Sequence, residues 1–155
     1  MGVLGACGDE PAGVAGQSPS ASSAAAPSTT TKKPEPEPKP EQAVVDVIVK
    51  FQRAVDKGDG KRACALLTKD LQGVYAQNPG ASDCPAGIEH LHKELGDSKL
   101  SALKIAAADV EIAKGGKEAV ANHKLIAKRN RTDPEKTDSY NMENEKGRWK
   151  ISYIG

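Results

Sequence analysis

The sequence predicts an α+β domain in which three helices come first and pack on a four-stranded antiparallel sheet. Apolar residues recur at intervals of three and four as far as Gly96 and alternate after it, which separates a helical half from a strand half. Gly115-Gly116 and Lys146-Gly147 punctuate the alternating half as hairpin turns. Helices followed by strands, rather than interleaved with them, give a meander and not a parallel sheet.

In the first helix, about Gln42 to Lys57, Val44, Ile48, Phe51 and Val55 form one apolar stripe. Gly58-Asp59-Gly60 stops it, and Asp59 caps a second helix carrying Ala63, Leu66 and Leu67. Thr68 restarts the chain into a short helical turn holding Leu71, Val74 and Tyr75, which Asn78-Pro79-Gly80 breaks. Ser82 or Asp83 caps the third helix. There Pro85 sits in the first turn, where its missing N–H costs nothing, and Ile88, Leu91 and Leu95 run down to Gly96.

Leu103, Ile105 and Ala107 alternate, and Val110 and Ile112 alternate again after a shift, so the expectation is one long strand bent near Ala107-Ala108. A return strand is expected from Lys117 to about Asn130, with Ala119, Ala121, His123, Leu125 and Ala127 on one face. After a polar loop, Arg131 to Lys136, a third strand runs from Thr137 to Glu145. A fourth follows from Arg148 to Ile154, with Trp149, Ile151 and Tyr153 on one face.

Residues 8–40 contain Val14 as the only sizeable aliphatic side chain. Such a stretch buries too little apolar area to offset the entropy of ordering it, so a disordered tail is expected before a domain at 41–155. Its Ser/Ala-rich first half is a flexible coil, and the alternating prolines of its second half favour extended polyproline II. A tether follows from that composition, and a proline-rich ligand for another module is the alternative. Ahead of it, Leu4-Gly5-Ala6-Cys7 resembles the lipobox of bacterial lipoproteins, whose cysteine is lipidated and becomes the mature N-terminus. Residues 1–7 then read as the end of a signal whose basic and apolar upstream part is missing. The competing expectation is an ordinary cysteine in a cytosolic arm.

If Cys7 carries lipid, Cys64 and Cys84 remain as a pair, and an even pair in an exported domain is expected to form a disulfide joining the second helix to the third. A redox or metal pair lacks the Cys-x-x-Cys spacing. With 22 Lys and Arg against 21 Asp and Glu, the chain has no electrostatic surplus for nucleic acid. Phe51, Tyr75, Tyr140, Trp149 and Tyr153 are the aromatics, so Val, Ile, Leu and Ala must build most of the core.

The helix leading into Phe51-Gln52-Arg53-Ala54-Val55-Asp56-Lys57-Gly58-Asp59, the following Ala63-Cys64-Ala65-Leu66-Leu67, and the closing Gly147-Arg148-Trp149-Lys150-Ile151 together resemble the nuclear transport factor 2-like superfamily. Small actinobacterial lipoproteins look similar, including the cysteine after the first helix and its partner before the third. The resemblance covers about Glu41 to Ile154 and implies a curved sheet wrapped around helices to leave a conical pocket. Enzymes of the superfamily use an Asp or an Asp/His pair in that cone. The candidates here for pocket residues are Asp109, His123, Tyr75 and Tyr140. The alternative puts Asp109 on the solvent side of a bend and makes His123 a plain strand residue.

His90-Leu91-His92 is a poor metal site, since helical residues two apart point about 200° from each other. Lys124, Lys128, Arg129 and Arg131 form a basic cluster at the end of the long hairpin. It is suited to anionic head groups or an acidic partner, or else it is a solvated edge that discourages strand association. The reading expects no cofactor and no catalytic residue. Its leading function is a lipid-anchored protein of the extracytoplasmic face of the cell membrane, binding a small ligand or an envelope protein. Its alternative is a pocket enzyme of isomerase or dehydratase type.

Overall fold

The computed structural model describes residues 39–155. The lipidation expected at Cys7 and nearly all of the tether lie outside the described residues. Lys39 precedes α1, Pro40–Asp56, which starts two residues earlier than expected because Pro40 takes the first helical position. Its stripe of Val44, Val45, Ile48, Phe51, Ala54 and Val55 is buried, at about 1.5–3 kcal/mol for each large side chain fully removed from water. α2, Gly60–Cys64, is capped by Asp59, whose carboxylate accepts the Arg62 N–H at 3.1 Å. α3, Lys69–Ala76, is capped by Thr68, and α4, Cys84–Leu95, by Asp83, which accepts from the Ala86 N–H at 2.9 Å. Four helices therefore precede the sheet instead of three, because the turn expected at Thr68 extends to eight residues. Leu66 and Leu67 lie beyond the end of α2 and not within it.

Cys64 and Cys84 form the expected disulfide, with Cα atoms 6.2 Å apart, joining the end of α2 to the start of α4. The helices approach closely on both sides of it. A Cβ added at Gly60 would lie 2.4 Å from the Pro85 carbonyl oxygen, and one at Gly87 would lie 2.1 Å from that of Tyr75.

The sheet has the order β1-β2-β3-β4, all antiparallel, from β1 (Val110–Ile112), β2 (Glu118–Ala121), β3 (Tyr140–Glu145) and β4 (Arg148–Ile154). The Gly115-Gly116 turn and the closing hairpin are as expected. Three strand expectations fail. Leu100–Ala102 and Ala107–Asp109 are single 3-10 turns, so the long first strand shrinks to three residues. The Asp109 carboxylate accepts the Ala106 N–H at 2.9 Å, a local bond that competes with strand pairing. The return strand stops at Ala121, and His123–Asn130 forms α5. Asn122 caps α5 by accepting the Lys124 N–H at 2.9 Å, and the buried pair Ile126 and Ala127 is adjacent in sequence, which one face of a strand cannot accommodate. The third strand starts three residues late, after a 3-10 turn at Pro134–Lys136.

A bulge opposite Asn141 and Met142 also reverses the end of β4. Met142 pairs with Ile151 but Asn141 pairs with Tyr153, so Tyr153 is exposed and Ile154, opposite Tyr140, takes the inner side. Trp149 and Ile151 remain buried as expected. The outer edge of β4 is covered by the chain after α2. The Ile151 N–H donates to the Leu66 carbonyl at 2.9 Å, and the Thr68 N–H donates to the Ile151 carbonyl at 2.9 Å. Among the described residues no helix is long and apolar enough to cross a membrane.

Candidate functional site

α1 carries one polar side chain on its buried stripe. Gln52 follows Ile48 by four positions and is as buried as its apolar neighbours, at 1 % exposure. A buried amide requires a partner, and Gln52 Nε2 donates to the Tyr140 hydroxyl at 3.3 Å. Tyr140 begins β3 and is itself buried. Burial pushes its pKa up to about 12; the Gln52 bond opposes the rise, while the charge of Asp138 and the nearby Tyr75 and Asp56 add to it. The phenol is therefore neutral across the physiological range. Having accepted from Gln52, it retains its own proton to donate.

Tyr140 lines a cleft of about 420 Å³ between two loops. One wall is Lys99, Leu100 and Leu103, and the other runs from Thr132 to Asp138. The first wall is fixed to the end of α1, where Asp56 accepts the Leu100 N–H at 2.7 Å and the Ser101 N–H at 3.1 Å. Partial burial raises the Asp56 pKa, but bonds from Ser101 and Leu100 and the charge of Lys99 outweigh it and hold the carboxyl below its ordinary value. The second wall is braced internally. Thr137 Oγ1 donates to the Asp133 carbonyl at 2.8 Å and lies 3.0 Å from Thr132 Oγ1. The size suits a small ligand, with Leu100, Leu103 and the Tyr140 ring as apolar surface and hydroxyl, ammonium and carboxylate groups at the rim.

Tyr75, at the end of α3, lies near enough to act on the Tyr140 hydroxyl but does not line the cleft. Its own pKa is raised by burial and then by Asp138. The other two candidates do not join them. Asp109 is buried, and both its oxygens are engaged. Arg129 Nε donates to Oδ2 at 2.6 Å and Nη2 to Oδ1 at 3.0 Å, a bidentate pair from α5. Burial raises the Asp109 pKa, yet Arg129 and the Ala106 N–H hold it below the ordinary value, so it stays an ionised brace. His123 is the first residue of α5, half-buried, and lines no part of the Tyr140 cleft.

The basic cluster lies on α5, not on a hairpin. Arg129 is paired with Asp109, Lys124 and Lys128 are exposed, and Arg131 ends the helix in the left-handed region at φ 57°. His90 faces Glu94 at 3.6 Å, and among the described residues no group of three or more His, Cys, Asp or Glu comes together to hold a metal. Gln52 and Asp56 were missed as site residues. A polar residue on an otherwise apolar helical stripe was the available signal for Gln52, whereas nothing in the sequence linked Asp56 to Leu100 and Ser101. Compared with protein-family models, curated proteins and solved structures, the chain matches none.

Proposed function

We propose that this is a lipid-anchored cell-envelope protein, held on the extracytoplasmic face of the membrane through Cys7, whose domain binds a small ligand in the Tyr140 cleft without transforming it. The observation that carries the binding site is the buried Gln52–Tyr140 pair at the side of an open cleft, with Leu100 and Leu103 on one wall and polar side chains on the other. It supplies a neutral hydrogen-bond donor at a fixed position, which orients a ligand rather than moving its protons. Binding is favoured over catalysis because the one buried carboxylate among the described residues, Asp109, is committed to Arg129 and Ala106.

Helices leading into a four-stranded antiparallel meander, with a cleft whose wall is tied to the end of the first helix, support a nuclear transport factor 2-like reading of the domain. The fifth helix and the three-residue β1 depart from the simplest form of that plan, and a fold of this kind leaves the ligand open. The Leu4-Gly5-Ala6-Cys7 sequence and the Cys64–Cys84 disulfide support export and anchoring. Native and denaturing mass spectra of the protein taken from its host's membrane fraction test both halves. An acylated chain beginning at Cys7, with a small-molecule adduct present only in the native spectrum and lost in Tyr140→Phe, is expected. An unmodified chain retaining Met1 overturns the anchor, and an adduct indifferent to Tyr140 overturns the site.

A further inference from the structure

The solvent face of α1 carries Lys50 and Arg53, and Lys57 is the cap residue at its C-terminal end, three and four positions apart and so on one side. Across from them stands Arg62 of α2, and the four cations border a cleft of about 280 Å³ with Ala54 and Leu66 among its lining. Among the described residues Asp59 is the one carboxylate on its border, and it pairs with Arg62 at 3.3 Å. Among the described residues, Lys50, Arg53 and Lys57 have no carboxylate within ion-pair distance. A solvated helix face ordinarily intersperses the two signs. The same side of α1 carries Asp46 one turn before Lys50, where it accepts from Gln42 Nε2, but beyond it like charges converge on a concavity with an apolar floor, and their mutual repulsion is relieved when an anion enters.

We propose that this cleft is an anion site for a phosphate ester, separate from the Tyr140 cleft and independent of the ligand reading there. The Arg53 guanidinium fork matches phosphate oxygens bidentately, Arg62, held by Asp59, and two ammonium groups add charge, and the excess of three positive charges favours an anion of more than one charge over a lone carboxylate. Ala54 and Leu66 receive the first carbons of the esterified group. A soluble organophosphate and a phospholipid head group present the same chemistry.

The full-length chain without acylation is titrated with glycerol 3-phosphate, followed by amide chemical shifts. In parallel it is sedimented with phosphatidylcholine vesicles with and without phosphatidic acid. Shifts confined to Lys50–Arg62 with no vesicle preference assign a soluble ester, and sedimentation that requires phosphatidic acid assigns a head group. In either case Arg53→Gln with Lys57→Gln weakens binding at least about tenfold and raised salt weakens it further, whereas Lys124→Gln with Lys128→Gln leaves it unchanged. No localised shift by about 10 mM ester together with no dependence on phosphatidic acid overturns the proposal. An equal loss in the Lys124 and Lys128 variant does so too, since it would reduce the effect to net charge.

Discussion

The carboxamide of Asn130 takes both backbone groups of Lys104. Its oxygen accepts the Lys104 N–H at 2.8 Å, and its nitrogen donates to the Lys104 carbonyl at 2.7 Å and to the Ile126 carbonyl at 2.8 Å. One side chain thereby does for Lys104 what a neighbouring strand would do, while also closing the last turn of α5. Asn130→Ala is expected to cost about 1–2 kcal/mol. It should also speed amide hydrogen exchange at Lys104 more than elsewhere in the segment. Unchanged exchange there would show that the grip is not maintained in solution.

The close approach of α4 to α3 predicts opposite effects for two glycines. Gly87→Ala puts a methyl group 2.1 Å from the Tyr75 carbonyl oxygen, so the helices must separate, at about 1–3 kcal/mol. Gly73, within α3, has nothing within 4 Å of an added Cβ, and Gly73→Ala should stabilise by up to about 1 kcal/mol through helix propensity. Denaturant midpoints of the two variants should move in opposite directions.

Breaking the Cys64–Cys84 bridge releases a loop spanning a sequence separation of 20. Loop-closure entropy puts the loss near 3 kcal/mol. Cys64→Ser should lower the thermal midpoint in oxidising buffer by more than about 10 °C. Under reducing conditions the difference from the parent chain should largely vanish, and a persistent difference would assign the effect to packing instead of the bridge.

Tyr140→Phe leaves Gln52 Nε2 buried without its acceptor, at about 1–3 kcal/mol. Gln52→Leu in the same chain removes the stranded donor, so the double variant should recover much of that loss. A strictly additive pair would deny the coupling. Because the folded pKa of Tyr140 lies near 12, above its ordinary value of 10.0, its contribution is complete below pH 10 and falls as pH rises toward 12. The unfolded chain loses that proton first.

At the acid end the sign reverses. Asp56 and Asp109 have folded pKa values below the ordinary 3.8, so their contribution is present above that value and is lost as pH falls through the lower folded values. Asp56→Asn should lower stability at pH 7 and flatten its decline below about pH 4. A parallel acid limb in the two proteins would remove Asp56 from the account.

The helical half was largely legible because its determinants are local. Asp59 caps the second helix as expected, Asp83 rather than Ser82 caps the helix that follows Asn78-Pro79-Gly80, and Thr68, expected to restart the chain, caps α3; each bond spans three residues of sequence. The errors around residues 103–130 have one origin. Leu103, Ile105 and Ala107 alternate like a strand, but a strand exists only with a partner, and the partner expected at 122–130 is helical. α5 then fastens to the same segment through Arg129 to Asp109 and Asn130 to Lys104, contacts 20 and 26 residues apart. No window of alternation contains such information. Tyr153 was misplaced for a related reason, since one extra residue in β4 inverts the faces and only the pairing with β3 reveals it.

The sequence alone determined the α+β class, the order of the first helices and the two hairpin turns, because periodicity, caps and glycine turns act over a few residues; with three cysteines it offered the Cys64–Cys84 pair only on the condition that Cys7 carries lipid. Tertiary structure alone decided that Gln52 meets Tyr140 across 88 residues, that Asp109 is tied to Arg129, and that Lys50, Arg53, Lys57 and Arg62 border one cleft. Those arrangements depend on how helices cross and strands register, and the energy that fixes them comes from contacts between residues distant along the chain.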